Sequence, residues 1–292
     1  DFSQIDSLIK KMLPEASEVG ISVYDLTAKK PLYSYRADKL SRPASTMKLL
    51  TAITALSRPD ADEPLLCDIN FTAEPGKTTA IIGSTGSGKS TVVNLIPRFY
   101  DVTKGEILID GVNIKDVTQK ELRSVIGFVP QKGVLFSGTI ESNIKYSNEN
   151  MSDDQMKLAA EIAQATEFID TKNDKYKSEI AQGGSNVSGG QKQRLSIARA
   201  VAKDPEIFVF DDSFSALDYK TDAKLREALA EKTQNKTVII VAQRINTVLN
   251  ADQIIVLDDG KIAGKGTHKE LMQNCEVYKQ IALSQLSAEE LE

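Results

Sequence analysis

Along residues 20–37, GISVYDLTAKKPLYSYRA, apolar and polar positions alternate on both sides of a TAKK turn, and this period of two predicts a β-hairpin. The run ASTMKLLTAITALS at 44–57 repeats its apolar positions at helical spacing and predicts a helix with one apolar face. A polar, proline-bracketed stretch, RPDADEP at 58–64, then separates two patterns of different character. Beyond it, LCDINFTA and KTTAIIG read as strands, the second entering a glycine loop, and a helix is expected from about Lys89 to Phe99. GEILIDG reads as a strand with its turn, a helix opens near Gln119, and VIGFVPQ is another strand. Residues 152–203 are almost wholly helical in pattern. From Glu206, strands and helices alternate: IFVFDD, a helix over 219–232, TVIIVAQ, a helix over 245–250, and QIIVLDDGKIAGKG. Such alternation predicts an α/β fold, a mostly parallel sheet flanked by helices and interrupted by a helical insert.

Composition narrows the class. With 41% hydrophobic and 26% charged residues, the 292-residue chain matches an ordinary soluble globular protein of one large or two smaller domains. Of its net charge of −5, residues up to Ser57 hold 8 Lys+Arg against 6 Asp+Glu, and the rest hold 28 against 35. The larger part is acidic and has no basic stripe, which excludes nucleic acid as a main partner. Cys67, Cys275 and the single His268 give no metal-ligand spacing, and the two thiols read as reduced and cytoplasmic. The longest apolar stretches, such as LLTAITAL at 49–56, fall short of the ~20 residues that span a bilayer. No signal peptide opens the chain, which begins at Asp1 and reads as a piece of a longer polypeptide.

The candidate chemistry starts with GSTGSGKS at 83–90, which fits GxxxxGK[ST] between a β-branched strand and a helix. Residues Gly83, Ser84, Thr85, Gly86, Ser87 and Gly88 would turn successive backbone N–H groups into one concavity for phosphates. Lys89 would reach the outer phosphates, the Ser90 hydroxyl would ligate Mg²⁺, and Thr91 follows in the first turn of a helix whose N-terminus favours anions. IFVFDD at 207–212 supplies the second half. Asp211 ends a buried strand, where open α/β sheets bind their ligands, and is expected to hold Mg²⁺ through water. A further anion site is expected where Ser188, Gly189 and Gly190 precede a helix with Leu195, Ala198 and Ala202 on one face.

NVSGGQKQRLSIARA at 186–200 is similar to the signature segment of ABC ATPases, with Val187 in place of the Leu of LSGGQ. Gln131 matches the family's Q-loop and SALD at 215–218 its D-loop, while FSGTIESNI at 136–144 and IPRFYDVTKGEILIDG at 96–111 resemble exporter members. The resemblance spans roughly residues 60–283 and implies a RecA-like P-loop ATPase core with a helical signature subdomain. On that basis residues 58–292 form the ATP-binding domain: core at about 64–131 and 204–283, insert at about 132–203, tail at 284–292. The resemblance also implies Mg-ATP as cofactor and a head-to-tail dimer. In it, Ser188, Gly189, Gly190 and Gln191 of one subunit close over the ATP of the other, and Asp218 helps form the dimer contact. Gln131 would link the γ-phosphate and Mg²⁺ to movement of the insert. The implied partners are a second ABC ATP-binding domain and the transmembrane domain of an exporter, with this domain on the cytoplasmic face.

Two departures from the family pattern bear on hydrolysis. Asp212 stands where active members carry Glu, so the carboxylate is about 1.5 Å short, whereas a general base must reach its water. Gln243, in Ala242-Gln243-Arg244, stands where the family has His; it can hydrogen-bond a phosphate but cannot carry charge. This pattern resembles the degenerate subunit of a heterodimeric exporter, sluggish at its own site while its signature serves a partner carrying Glu and His. A working homodimer is the alternative. A third departure, Arg58-Pro59 where exporters have an aromatic residue for adenine to stack on, implies weaker nucleotide binding, and a chimera that binds weakly or not at all stays open.

PASTMK at 43–48 contains SxxK, and its surroundings resemble the start of a D-alanyl-D-alanine carboxypeptidase of the penicillin-binding group. Ser45 would then be the nucleophile and Lys48 its activator. The SxN and KTG elements are missing, so residues 1–57 are expected to be an incomplete hairpin-and-helix fragment, with an acyl-enzyme as the minor alternative. The junction near Ser57–Asp60 suggests a chimera of two unrelated sequences.

Overall fold

The computed structural model describes residues 21–25, 30–35 and 65–286. The chain divides into two units, Asp1–Pro64 and Leu65–Glu292, and each is described by itself. In the first, β1 (Ile21–Asp25) pairs antiparallel with β2 (Lys30–Tyr35), Ile21 opposite Tyr35 and Asp25 opposite Lys30, as the period of two predicts. The helix expected over 44–57, with Ser45 and Lys48, and the Arg58-Pro59 pair lie outside the described residues.

The second unit begins with β3 (Thr78–Gly83) and α1 (Lys89–Leu95), followed by a small hairpin of β4 (Leu108–Ile109) and β5 (Val112–Asn113). Asp110 and Gly111 at its tip have φ of 49° and 79°, the paired left-handed conformation that an Asp-Gly turn supplies. Next come α2 (Gln119–Ser124) and β6 (Ile126–Val129). The insert follows: β7 (Gly138–Thr139), α3 (Ile140–Ile144), α4 (Asp153–Ile162), α5 (Thr166–Asp170), β8 (Glu179–Ile180) and α6 (Gly189–Lys203). The chain then returns through β9 (Ile207–Asp211), α7 (Tyr219–Lys232), β10 (Thr237–Val241), β11 (Gln253–Asp258), β12 (Lys261–Gly266), α8 (His268–Asn274) and α9 (Glu276–Leu283).

One six-stranded sheet, in the order β12-β11-β3-β10-β9-β6, organises the unit. All its pairings are parallel except β11–β12. Both faces are covered, which is why its strands are near-continuous apolar runs. Ile81, Val209, Ile239 and Ile255 pack with Val92 and Val93 of α1 and Leu122 of α2. Ala80, Ile82, Ile254 and Val256 pack with Tyr278 and Ala282 of α9. Phe208 and Phe210 join Leu225 of α7 to the insert, where Leu195 and Ala198 of α6 meet Met156, Ala159 and Ala160 of α4. Mixed α/β architecture with a parallel-rich sheet, read from the alternation of elements, is thus the observed fold.

Four local expectations need correction. LCDINFTA at 66–73 forms no strand: Leu66, Ile69, Phe71 and Ala73 pack on the core, but among the described residues the run has no ladder partner, and Cys67 N–H alone reaches Gly260 O at 2.8 Å. An apolar alternation suits packing, and a strand also needs a free edge beside it. The helix from Lys89 stops at Leu95 rather than Phe99, because Pro97 has no N–H to continue the ladder and Arg98 turns left-handed at φ 55°. Residues 245–250 make only a 3₁₀ turn, Ile245–Thr247. Within 152–203, the stretch between α5 and α6 is irregular and contributes β8, which pairs with β7.

Candidate functional site

Because β3, β10, β9 and β6 are adjacent and parallel, their carboxyl ends open on one edge of the sheet, where ligands of open α/β sheets bind. This edge gathers four loops far apart in sequence. They are residues 84–88 after β3, Pro130-Gln131 after β6, Asp211-Asp212 at the end of β9, and Ala242-Gln243 after β10.

The 83–90 loop is shaped by its glycines. Gly86 and Gly88 have φ of 88° and 98°, left-handed backbone that other residues enter only with strain. A Cβ on Gly83 would lie 2.1 Å from Leu257 O and 2.7 Å from Ser87 Oγ, so only glycine fits there. Ser84, Thr85 and Gly86 face solvent while Ser87 is buried, and Ser87 N–H closes the loop on Ser84 O at 3.2 Å. Lys89, 9% exposed, donates Nζ to Gly83 O at 2.8 Å and Ser84 O at 2.6 Å. Burial lowers its pKa, opposed by the nearby charges of Asp212 and Asp211. Thr91 lies half-buried in the first turn of α1.

Ser90 Oγ donates to Asp211 Oδ1 at 2.9 Å. Asp211 is buried, and that burial raises its pKa; the Ser90 bond opposes the rise and the neighbouring Asp212 adds to it. A buried carboxylate beside a hydroxyl is a hard-oxygen pair suited to a divalent cation that keeps most of its waters. Asp212 is differently placed. Its backbone is left-handed at φ 46°, its side chain is buried, and its Oδ2 accepts Gln131 Nε2 at 3.0 Å and Gln243 Nε2 at 2.7 Å. The carboxylate that follows Asp211 is therefore clamped between two amides. Ser213, unremarked in the sequence, braces the turn below by donating Oγ to Val129 O at 2.9 Å.

The signature residues form a separate group. Ser188 caps α6 in a reciprocal capping box: its Oγ accepts Gln191 N–H at 3.3 Å, and Gln191 Oε1 accepts Ser188 N–H at 3.1 Å. Gly189 borders open space, and a Cβ on Gly190 would lie 3.4 Å from Ala216 O, so the signature abuts the 215–218 segment. Asp218 caps α7 by accepting Thr221 N–H at 3.0 Å. Ser188, Gly189, Gly190, Gln191 and Asp218 share no hydrogen bond with the Lys89–Asp211–Asp212–Gln131–Gln243 group. Gln193, which sequence reasoning passed over, is 1% exposed and bonded to the Gln131 segment. Its signal was available: a polar residue in register with buried Ile197 and Ala200 on the apolar stripe of α6. His268 lies elsewhere, its Nδ1 2.7 Å from the Tyr278 hydroxyl.

Residues 66–215 match the family model described as ABC transporter. The chain belongs to the ABC transporter family. Its second unit is similar to the ATP-binding domains of ABC exporters. An uncharacterized ABC transporter ATP-binding protein of Mycobacterium tuberculosis is 50% identical over 230 residues, covering 78% of this chain and 39% of the relative. A putative multidrug export ATP-binding/permease protein of Staphylococcus aureus is 44% identical, covering 76% of this chain and 38% of the relative. Among solved structures, a bacterial Atm1-family ABC exporter with ATP bound has a TM-score of 0.75 at 37% identity, over 79% of this chain and 41% of that one. The chain thus spans about two fifths of the length of these relatives. A second family model, the D-Ala-D-Ala carboxypeptidase 3 (S13) family, matches residues 2–75, so the N-terminal part is similar to that family. Among the described residues no helix is long and apolar enough to cross a membrane.

Proposed function

We propose that this chain carries the hydrolysis-impaired ATP-binding domain of an exporter, one that binds Mg-ATP, dimerises head to tail around it and lends its signature to a partner's site. The observation that carries this reading is the Asp212 carboxylate, one methylene short and held by Gln131 and Gln243, beside an intact loop, Lys89, Ser90 and Asp211. Residues 83–91 would hold the phosphates, with Lys89 exchanging its two loop carbonyls for phosphate oxygens. Ser90, Asp211 and Gln131 would hold Mg²⁺, which supplies charge neutralisation at the phosphates. Asp212 would orient a water poorly, because its carboxylate is one methylene short and its Oδ2 already accepts both amides. Gln243 would meet the γ-phosphate as a neutral donor.

Ser188, Gly189, Gly190, Gln191 and Asp218 would face the nucleotide of a second ABC domain that has Glu and His at the two switch positions. Residues 58–292 would act as one domain beneath an exporter's transmembrane part, on its cytoplasmic face, with residues 1–57 an inactive carboxypeptidase-like fragment. The test is equilibrium binding of Mg-ATP with single-turnover hydrolysis in the same sample, repeated with a partner domain carrying Glu and His. Tight binding, slow turnover alone and fast turnover with the partner are expected; fast hydrolysis by the isolated chain sinks the reading. The unpaired run at 66–73 favours a second reading, weakened nucleotide affinity, and the same binding curve measures it.

A further inference from the structure

Helix α6, whose first turn is the signature, grips the segment that carries Gln131 at two points. The first is Gln193: its Oε1 accepts Gly133 N–H at 2.8 Å and its Nε2 donates to Pro130 O at 3.0 Å, so the two bonds bracket Gln131. The approach is close enough that a Cβ on Gly133 would lie 2.7 Å from Lys192 O. The second is Arg199, six residues on, which donates to Val134 O at 2.9 Å, Asn143 O at 2.9 Å and Asn143 Oδ1 at 2.6 Å. Asn143 in turn holds both backbone groups of Phe136, accepting its N–H and donating to its carbonyl, each at 2.9 Å. The segment 130–136 therefore cannot slide along α6 without breaking these mostly part-buried hydrogen bonds, each worth about 0.5–1.5 kcal/mol net.

We infer that Gln193 is a positioning residue that joins the Gln131 segment and the signature end of α6 into one rigid body. Gln131 now rests on Asp212, and a ligand that shifts the Gln131 backbone moves Pro130 and Gly133 with it, because Gln193 holds both. Gln193 passes that displacement to a continuous 15-residue helix, and Ser188–Gln191 lie within two turns on the same rod. Gln193, the grip nearer the signature, thus helps tie what happens at this chain's own phosphate loop to the surface it offers a partner. The inference rests on the proposed function for the identity of the ligand, but the mechanical link itself does not need it.

The test follows hydrogen exchange in the parent chain, Gln193→Leu and Gln193→Glu, with and without Mg-ATP, beside the Mg-ATP Kd and a thermal melt. In the free chain, Gln193→Leu should speed exchange at residues 133–136 by about fivefold or more, as expected for losing one net hydrogen bond of about 1 kcal/mol. With Mg-ATP, the parent should change at 131–136 and 187–191 together. The folded Gln193→Leu variant, with Kd within about twofold of the parent, should change at 131–136 alone. Gln193→Glu keeps the Gly133 bond but sets an oxygen against Pro130 O; it should lose part of the response and provides the readout if the leucine variant does not fold. Unchanged free-chain exchange at 133–136, or an undiminished response at 187–191 in a folded variant, overturns the inference. A parent that does not bind Mg-ATP instead sinks the proposed function, while the free-chain comparison still decides the link.

Discussion

Replacing Asp212 by Glu should make the domain less stable and more reactive at once. The change adds one methylene, about 1.5 Å, to a carboxylate now held by Gln131 and Gln243 at 3.0 and 2.7 Å. At φ 46° the backbone lies in a region that Asp enters more readily than Glu, so the substitution strains it by roughly 1 kcal/mol. The longer side chain overshoots both amides. Gln131 and Gln243 are exposed and can turn to water, so each lost bond costs near the low end of its range, about 0.5–1 kcal/mol. The total is about 2–3 kcal/mol. A domain of this size loses about 2–4 °C in Tm per kcal/mol, giving a fall of about 5–10 °C in a nucleotide-free melt.

The same methylene carries the carboxylate toward the position a general base needs. A misplacement of about 1 Å can cost about 10²-fold in rate, so single-turnover hydrolysis of bound Mg-ATP should rise by about 10- to 100-fold. Circular dichroism melts without nucleotide and rapid-quench single turnover check the two halves separately. An unchanged or raised Tm would mean that the two amides do not hold Asp212. An unchanged rate in a destabilised variant would mean that carboxylate reach is not what limits the site.

Arg199→Leu should lower stability by about 3 kcal/mol, because it strips the donor from Asn143 and Val134 and a stacked cation from the Phe136 and Tyr146 rings at 5.0 and 5.6 Å. Thermal melts of Arg199→Lys should show little rescue, since one ammonium cannot reproduce the planar fork. Burial pushes the Arg199 guanidinium down to about 10, so it stays charged at neutral pH and this loss should not depend on pH between 6 and 8. His268 gives a pH-dependent contrast. Burial holds its imidazole below the ordinary 6.5, so the unfolded chain takes up a proton first as pH falls, and stability should rise with pH through the window just below 6.5. His268→Gln should flatten that part of a Tm-versus-pH curve, and an unaltered slope would assign it to other groups.

The parts of the fold legible in the sequence are those fixed by local chemistry. The strands β3, β9, β10 and β11 are apolar runs because both faces of the sheet are covered, and the 83–90 loop is spelled by glycines whose backbone or close contacts exclude other residues. The Asp-Gly turn before β5 and the Ser188 cap of α6 are equally local. What could not be read depends on neighbours. The run 66–73 has a strand's alternation and, among the described residues, no strand to pair with. Gln131 and Gln243 were legible as candidates for phosphate contact, but their meeting on one oxygen of Asp212 spans 81 and 31 residues and follows only from the order of the parallel strands.

Holding a nucleotide and making it react draw on different features of this edge. On the proposed reading, the first depends on the glycine-shaped 83–88 loop, a buried lysine bonded to carbonyl oxygens, and a carboxylate already bonded to Ser90. On the same reading, the second depends on side-chain length and charge at two positions, Asp212 and Gln243, where Glu and His are expected from the resemblance. Backbone geometry is over-determined by the sheet and its two packed faces, so single substitutions rarely erase it. Side-chain reach is set one residue at a time and can be lost without disturbing the fold. An ATP-binding domain can therefore keep a well-formed phosphate loop and signature after its own hydrolysis has weakened, and in this chain the two properties should separate cleanly under substitution.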